Sequence, residues 1–410
     1  MKSKKNILIL TQWSFKDPLI QAYTLPYVYI IANQLPEGSK IYLVTFEQKK
    51  LKMTPSERKE IKNTLIHKGI YLIDYNYSSF GVISLIKWLG NFLHLLALQF
   101  FKNIKYIHAW CTTAGSLGYI LSKACGKPLI IDSYEPHAEA MVENQTWSRD
   151  DFKFKLLFYL ERKLTGHAKI IISATSGMYE YALKKYGINI VNFYVKPACV
   201  DLQKFNISKK KNPKLISELK LENKIVCVYA GKFGGIYLTR EVFDFFSQAE
   251  KTWGDRFRVL LLTPHNKEDL VNWAISSNFS PEKMIIRFVP HDEIPDYLGV
   301  GDFGITPVKP LPTKRYCTPI KDGEYWALGL PVVITRDISD DSEIISKYNA
   351  GAVIKDFSPE SYKVVIDQIN KLLEEPGQSL SQRIENLAKQ FRNFSIAEDI
   401  YKTIYNNGNV

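Results

Sequence analysis

Short apolar runs alternate with amphipathic stretches along most of the chain, and this pattern constrains the fold more than any other feature. The run Asn6–Leu10 is apolar after its first residue, and the amphipathic stretch Leu25–Gln34 follows it. Strands that are apolar on both faces are typical of parallel sheets with helices on each side. The repeated alternation therefore predicts right-handed βαβ units and an α/β fold.

The alternation is interrupted near Val200 and restarts at Ile225–Tyr229. Residues 206–214 contain three consecutive lysines and a proline, a composition typical of a solvated connection. The simplest architecture is two doubly wound, Rossmann-like domains that face each other across a cleft. We expect residues 1–200 and 225–390 to form these domains, with a linker at residues 201–224.

The composition is that of a basic, folded protein. Lys and Arg number 54 against 42 Asp and Glu, a net charge of +12, and the mean hydropathy is −0.15. A hydrophobic fraction of 46% excludes disordered and collagen-like architectures. The seven His and five Cys show neither C-x-x-C nor H-E-x-x-H spacing, so no common zinc framework is expected. The odd number of scattered cysteines favours a reducing, cytoplasmic compartment.

The longest apolar region, Val82–Phe101, approaches the length of a membrane span. Lys87, Asn91, His94 and Gln99 interrupt it, and an ionisable group in the middle of a span is costly. Two interpretations remain open: a large, mostly buried helix, or a helix that lies in the membrane interface.

The segment from Pro319 to Ile334 has the most specific pattern. Pro319 suits the first turn of a helix, and Gly329 is placed to end it. Lys321 and Glu324 lie three residues apart, on one face of that helix. The spacing alone is equally compatible with a surface ion pair and with a binding site at the helix N-terminus, which follows a basic loop.

This segment resembles the donor-binding signature P-x-K-x-x-E-Y-x-A-x-G-x-P-V of GT-B glycosyltransferases, specifically the retaining family 4 group. The matching residues are Pro319, Lys321, Glu324, Tyr325, Ala327, Gly329, Pro331 and Val332. The resemblance implies that Glu324 accepts hydrogen bonds from the ribose hydroxyls of a nucleotide sugar. It also implies that the helix N-terminus faces the diphosphate and that the preceding loop contacts the transferred sugar.

The resemblance assigns donor-binding roles to further residues of the second half. Around the signature these are Tyr316, Cys317, Thr318, Pro319, Ile320 and Lys321. Many family members carry a glutamate that grips the donor sugar at the position of Tyr316, so this departure leaves the identity of the sugar open. The family's donor domain opens with a glycine-rich basic loop that resembles Gly231, Lys232, Gly234 and Gly235. Backbone after the strand that ends near Phe288 and Val289 is implied to contact the base.

In the first half, the strand Pro128–Asp132 is followed by Glu135 and His137. A carboxylate and an imidazole at the end of a parallel strand are candidates for a base or a charge stabiliser. The family commonly has D-x-H-E here, but Tyr134 replaces the histidine, so the catalytic role stays open between Glu135 and His137. The stretch Ile396–Tyr405 resembles the family's terminal helix, and we expect residues 391–410 to pack back on the first domain.

The resemblance implies a cytoplasmic, metal-independent, retaining glycosyltransferase of the hexosyltransferase class, active in polysaccharide biosynthesis. Its substrates would be a UDP- or GDP-linked sugar and a saccharide acceptor, such as a lipid-linked or cell-surface glycan intermediate. Negative charge develops on the leaving diphosphate, so Lys232, Lys321 and the helix N-terminus would lower the barrier. No cofactor, metal or nucleic acid is expected, whereas the positive charge predicts peripheral contact with anionic lipids of the inner membrane face. The alternatives are a GT-B sugar-nucleotide epimerase or hydrolase, and a non-enzymatic basic binding protein.

Overall fold

The chain forms two compact units in the computed structural model, which describes residues 4–78 and 82–406. Unit 1 comprises Met1–Lys196 and Ser395–Val410, and unit 2 comprises Pro197–Phe394. Residues 1–3, 79–81 and 407–410, which fall within the predicted domains, lie outside the described residues.

The boundary between the first unit and the second follows Lys196, whereas the predicted first domain ended at residue 200. Residues 201–224, assigned above to a linker, belong to unit 2, because side chains such as Phe205 and Leu221 are buried in its core.

Unit 1 is built on a parallel sheet of seven strands in the order β3-β2-β1-β4-β5-β6-β7. The strands are β1 (Asn6–Leu10), β2 (Ile41–Glu47), β3 (Ile70–Asn76), β4 (Ile104–Trp110), β5 (Leu129–Tyr134), β6 (Ile170–Ser173) and β7 (Phe193–Val195). The helices are α1 (Leu25–Gln34), α2 (Pro55–Ile66), α3 (Val82–Phe101), α4 (Cys111–Cys125), α5 (His137–Glu143), α6 (Phe152–His167) and α7 (Gly177–Tyr181). The central strands are almost completely buried, as the apolar runs predict.

Unit 2 has a parallel sheet of six strands in the order β10-β9-β8-β11-β12-β13. The strands are β8 (Ile225–Ala230), β9 (Phe257–Leu262), β10 (Met284–Arg287), β11 (Phe303–Thr306), β12 (Val332–Thr335) and β13 (Gly351–Ile354). The helices are α8 (Pro213–Glu218), α9 (Arg240–Trp253), α10 (Lys267–Ser276), α11 (Ile294–Gly299), α12 (Ile320–Ala327), α13 (Asp341–Lys347), α14 (Pro359–Leu373) and α15 (Gly377–Phe391). The predicted α/β fold with two Rossmann-like domains is therefore confirmed.

The last helix, α16 (Ser395–Asn406), returns to unit 1 and packs against α1. Its side chains Tyr401 and Tyr405 are fully buried there. This confirms the predicted terminal helix that crosses back to the first domain, although it begins at Ser395 and residues 391–394 still belong to unit 2.

Helix α3 differs from the interpretation as a mostly buried helix. Leu95, Leu98 and Gln99 are buried, but large apolar side chains on other positions of α3 are exposed, including Leu93 at 55% and Phe100 at 65%. Among the residues that the structure describes, no helix is long and apolar enough to cross a membrane.

Candidate functional site

Helix α12 carries the signature residues of unit 2. Pro319 has extended backbone angles and precedes the first helical residue, so its missing N–H leaves no hydrogen bond unmade. Gly329 ends the segment with φ +68°, a left-handed conformation that disfavours other residues. A side chain there would also lie 2.8 Å from Cβ of Ser381. Lys321 and Glu324 are half-buried, whereas Tyr325 is fully buried.

The structure brings the glycine-rich loop and α12 together. A Cβ atom added to Gly231 would lie 2.8 Å from Cε of Lys321, so only glycine allows this approach without displacement. The Lys321 ammonium lies 5.0 Å from the ring centroid of Tyr237 and 5.9 Å from that of Tyr229. Within residues 4–78 and 82–406 it forms no ion pair with Glu324, which excludes the surface ion pair that the spacing also allowed.

The middle of the glycine-rich loop is held in place by two hydrogen bonds. The Tyr229 hydroxyl donates to the carbonyl oxygen of Lys232 at 2.6 Å, and the Phe233 N–H donates to Nε2 of His265 at 2.8 Å. Gly234 and Gly235 have φ +78° and +61°. The Lys232 side chain is exposed and has no hydrogen bond or ion pair with the described residues. The loop is therefore a fixed backbone turn that presents one ammonium group to solvent.

Glu324 has a carboxyl group with an altered pKa. Its side chain makes no hydrogen bond or ion pair with the described part of the chain. Desolvation raises its pKa to about 7, although the nearby Lys321 ammonium acts in the opposite direction. An acceptor of this kind, beside a fixed loop, is suited to binding hydroxyl groups of a ligand.

Phe288 and Val289 lie just beyond β10, which ends at Arg287. Phe288 is 81% exposed, and Val289 is half-buried. Phe288 lines a cleft of about 360 Å³ together with Pro264 and His265. Because His265 also holds the glycine-rich loop, the cleft and the loop are neighbours. The sequence analysis missed His265, which lies beyond the end of β9 and carries no motif.

Tyr316, Cys317 and Thr318 connect a short 3₁₀ turn, Pro312–Tyr316, to Pro319 at the start of α12. All three side chains are half-buried. The Ser339 hydroxyl lies 3.4 Å from the Thr318 hydroxyl. Ile320, the first residue of α12, packs against the core of unit 2. The predicted donor-binding residues of α12, its preceding loop and the glycine-rich loop therefore lie within one unit, and the predicted catalytic Lys232 lies among them.

A buried charged cluster supports α12 from inside unit 2. Asp322 on α12 accepts a hydrogen bond from the Thr306 hydroxyl, and Asp341 accepts one from the Arg392 guanidinium. All three charged residues are at most 1% exposed. Burial raises the pKa of Asp341 well above its usual range, and that of Asp322 is raised too. Because both pKa values are raised beside a single guanidinium group, we infer that the pair of carboxyl groups keeps one proton at a pH where an exposed aspartate is charged.

In unit 1, Glu135 and His137 lie between β5 and the first turn of α5. His137 Nδ1 lies 3.0 Å from Oε1 of Glu135, and both side chains are roughly 30% exposed. The two alternatives for the catalytic role therefore form one hydrogen-bonded pair. Glu161 on α6 accepts the Ala138 N–H at 2.8 Å, which anchors the start of α5. Burial raises the pKa of Glu161 to about 7.

Beneath this pair, Asp132 is the centre of a second buried cluster. It accepts a hydrogen bond from the Tyr401 hydroxyl at 2.7 Å, and it lies 3.2 Å from the Lys196 ammonium and 3.3 Å from His108 Nε2. Burial would raise the pKa of Asp132, but Lys196, His108 and Tyr401 outweigh it and hold the pKa at about 2. The Lys196 ammonium also lies 3.5 Å from the ring centroid of Tyr27. The sequence analysis missed Lys196, which no motif marks.

No group of His, Cys, Asp or Glu that could hold a metal ion occurs in the described part of the chain. The expected independence from metals and cofactors stays a prediction.

Comparison with known proteins shows the fold. No protein-family model and no curated protein matches the sequence. Among solved structures, HepE from Anabaena in complex with UDP is 14% identical with a TM-score of 0.71, over 98% of this chain and 99% of that chain. Sucrose-phosphate synthase from Thermosynechococcus elongatus is also 14% identical, with a TM-score of 0.67 over 98% and 99%. A glycosyltransferase from Rickettsia africae is 15% identical, with a TM-score of 0.66 over 99% and 100%. The chain thus has the fold of GT-B glycosyltransferases.

Proposed function

We propose that this protein is a glycosyltransferase that moves a sugar from a nucleotide-diphosphate sugar to a saccharide acceptor. The observation that carries the proposal is the close approach of Gly231 to Lys321, one helical turn before Glu324, whose carboxyl group makes no hydrogen bond with the residues that the structure describes. Such a donor carries a diphosphate and a ribose. The ammonium groups of Lys232 and Lys321 and the glycine-rich backbone suit the diphosphate, and the Glu324 carboxyl group suits the ribose hydroxyls.

The diphosphate is the leaving group, so catalysis depends on cations that stabilise its developing charge. Lys321 is partly desolvated against Tyr229 and Tyr237, which strengthens its attraction to an anion. Lys232 is exposed and reaches the ligand from the loop. We assign both lysines to the diphosphate, with the N-terminus of α12 as a further source of positive potential.

Glu324 binds the ribose in this proposal. Its raised pKa, about 7, means that desolvation opposes its charge in the free protein, and two ribose hydroxyl donors would stabilise the carboxylate. Phe288 and the cleft beside it are suited to the base, because an exposed aromatic face can stack on it. Tyr316, Cys317 and Thr318 are assigned to the transferred sugar.

The hydrogen-bonded Glu135–His137 pair is our candidate for the acceptor side in unit 1. A carboxylate that accepts a hydrogen bond from an imidazole can help remove the proton from an acceptor hydroxyl. Retention of the anomeric configuration and membership of family 4 follow from the resemblance of the α12 segment. No carboxylate of the chain is assigned as a covalent nucleophile, so front-face displacement is the proposed route.

The donor and acceptor classes draw support from structural neighbours. HepE has been crystallised in complex with UDP-glucose, and WaaG is described as a glycosyltransferase involved in lipopolysaccharide biosynthesis. We therefore propose a UDP-sugar as the first donor to test and a lipid-linked or cell-surface glycan intermediate as acceptor. The site of action would be the cytoplasmic face of the membrane, with the protein attached peripherally.

The test begins with ligand binding to unit 2. UDP, GDP and UDP-glucose are added separately, and a rise in Tm identifies the nucleotide, since a ligand that binds only the native state raises Tm. Glu324→Ala should reduce the UDP-induced rise, and Lys232→Ala should reduce it too. Glu360→Gln, an exposed position on α14, is the matched control and should leave the rise unchanged.

The reaction is then followed with purified glycan acceptors, with sugar transfer measured by mass spectrometry. Donor consumption that needs an acceptor supports a transferase. Consumption without an acceptor would instead assign the alternative epimerase or hydrolase activity. If Glu324→Ala transferred sugar as well as the unaltered protein, the assignment of this site would be wrong.

A further inference from the structure

The stretch of chain that holds α3, β4 and α4 contains basic residues but no acidic ones. No Asp or Glu occurs between Asp74 and Asp132, a stretch that covers α3, β4 and α4. The same stretch contains five lysines: Lys87, Lys102, Lys105, Lys123 and Lys127. In a chain with 42 acidic residues, such a gap concentrates positive charge on one part of unit 1.

The same helix exposes a continuous row of apolar side chains. Ile86, Leu89, Leu93 and Phe100 are 68%, 51%, 55% and 65% exposed. Their spacing of three, four and seven residues places them on one face of the helix. Ile86 and Phe100 are fourteen residues apart, which corresponds to a row roughly 21 Å long at ~1.5 Å per residue. We call these four residues the α3 stripe.

Lysines flank the α3 stripe near both ends. Lys87 adjoins Ile86, and Lys102 and Lys105 follow the last turn of the helix; all three are exposed. None of these lysines forms an ion pair with a residue that the structure describes. An apolar face flanked by free cations is the pattern of a helix that lies in the plane of a membrane interface.

A second helix of unit 1 also combines exposed apolar and basic side chains. Helix α3 packs against α4, and α4 packs against α6, so the three helices form one layer of unit 1. Phe152 on α6 is 75% exposed and Tyr159 is 54% exposed, and the exposed cations Arg162 and Lys163 follow them. Apolar and basic side chains are therefore combined on a second helix of the same layer.

We propose that the α3 stripe inserts into the headgroup boundary of a bilayer that contains anionic phospholipid, with Lys87, Lys102 and Lys105 contacting the lipid phosphates. The inference rests on the peripheral-membrane part of the proposed function, but it does not depend on sugar transfer. It names the surface that holds unit 1 at the membrane and the lipid class that this surface selects.

The positive charge around the α3 stripe indicates that a lipid surface covers it, and not a second copy of this chain. A symmetric dimer in which one α3 stripe faced another would bring the lysines that flank the stripe close to the same lysines of the other copy. Like charges in such an interface oppose association, whereas anionic headgroups attract the same lysines. The apolar row and the cations are therefore satisfied together by an anionic bilayer.

The test is flotation of the full chain with vesicles of phosphatidylcholine alone or mixed with phosphatidylglycerol. We expect binding to the mixed vesicles and at least tenfold weaker binding to phosphatidylcholine. Leu93→Glu should reduce binding to the mixed vesicles at least tenfold. Val364→Glu is the matched control, because Val364 is 64% exposed on α14 of unit 2, and it should bind normally.

A second variant separates the two contributions. Replacing Lys87, Lys102 and Lys105 by Gln should remove the preference for phosphatidylglycerol. Quenching of Trp88 by brominated lipid supplies a readout of insertion, and Trp88→Phe should lose the quenching that occurs in the unaltered protein. Equal binding to both vesicle types, or full binding by Leu93→Glu, would overturn the proposal.

Two further outcomes have defined meanings. If the protein is a dimer in solution and Leu93→Glu makes it monomeric, a second copy covers the α3 stripe and the membrane proposal fails. The UDP-induced rise in Tm should be the same in Leu93→Glu as in the unaltered protein. Vesicle binding without any nucleotide binding would support the docking surface and reject the proposed function. Nucleotide binding without vesicle binding would support the proposed function and reject the docking surface.

Discussion

Each unit buries carboxyl groups next to a cation, but the pKa of the carboxyl group is lowered in unit 1 and raised in unit 2. In unit 1, the single carboxylate of Asp132 lies next to the Lys196 ammonium, and its pKa is held at about 2. In unit 2, Asp322 and Asp341 lie together with Arg392, and burial raises the pKa of Asp341 well above its usual range. In unit 1, one ammonium group balances the charge of one carboxylate. In unit 2, one guanidinium group lies beside two carboxyl groups, and the pair keeps a proton.

The difference gives the two clusters opposite responses to pH. A carboxyl whose pKa is lowered in the folded state stabilises the protein above its unfolded pKa, and this stabilisation is lost as pH falls through the folded pKa. For Asp132 the loss therefore falls between about pH 4 and pH 2. A carboxyl whose pKa is raised does the reverse, because the unfolded chain releases its proton first. The contribution of Asp341 therefore falls as pH rises above about 4.

Removing the cation of unit 2 should have the largest effect. Arg392→Met leaves Asp341 without its guanidinium partner in a fully buried position, so we expect the free energy of unfolding of unit 2 to fall by roughly 3–5 kcal/mol. Urea unfolding measures the change. Lys389→Met breaks only the exposed Lys389–Glu385 pair and should cost less than about 1 kcal/mol. Equal losses in the two variants would contradict the role of the buried cluster.

Removing the cation of unit 1 should cost less. In Lys196→Met, Asp132 keeps the hydrogen bond from Tyr401 and its contact with His108, so we expect a loss of about 2–3 kcal/mol. Hydrogen exchange of the β5 amides reports this change in unit 1 directly. Exposed Lys185→Met, also in unit 1, is the control and should leave exchange unaltered. A loss larger than that of Arg392→Met would reverse the order of the two clusters.

The shared proton can be replaced by an amide. In Asp341→Asn, the side-chain NH₂ donates to Asp322 in place of the proton, while the amide oxygen still accepts from Arg392. We expect the stability of unit 2 to fall less steeply with rising pH than in the unaltered protein, by at most about 1.4 kcal/mol per pH unit. Urea unfolding from pH 5 to pH 8 measures both slopes. Parallel slopes would mean that Asp341 holds no proton in that range.

The smallest effect concerns a single hydroxyl. Tyr401→Phe removes one hydrogen bond to Asp132 and leaves the ring packing intact, so unit 1 should lose roughly 1–2 kcal/mol. The loss is measured by the same exchange of β5 amides. Tyr159→Phe, at an exposed position on α6, should have no effect. No loss in Tyr401→Phe would show that Lys196 and His108 are sufficient partners for Asp132.

Patterns within short stretches of the sequence predicted the strands, the helices and the residues that share one helix face. The alternation predicted the parallel sheets, and the run from Pro319 to Pro331 predicted α12 with Lys321 and Glu324 on one side. The approach of Gly231 to Lys321 joins residues ninety positions apart, and only the resemblance to a family placed them in one site.

The buried clusters were beyond prediction for the same physical reason. Asp132 meets Lys196 and Tyr401, and Asp341 meets Arg392, through tertiary packing that leaves no periodic trace in the sequence. The exposure of helix α3 could not be predicted from the sequence either. Its composition indicated an apolar helix, but periodicity states which residues share a face and not whether another element covers that face.

The return of α16 has a consequence for synthesis of the chain. Unit 2 is a continuous segment, so all its residues have been made before residue 395 is added. Unit 1 is discontinuous, and the hydrogen bonds of His108 with Tyr405 and of Asp132 with Tyr401 form only after α16 has been made. Of the two units, unit 1 is therefore the one begun first and completed last, and until α16 is made the His108 and Asp132 side chains are left without these two partners.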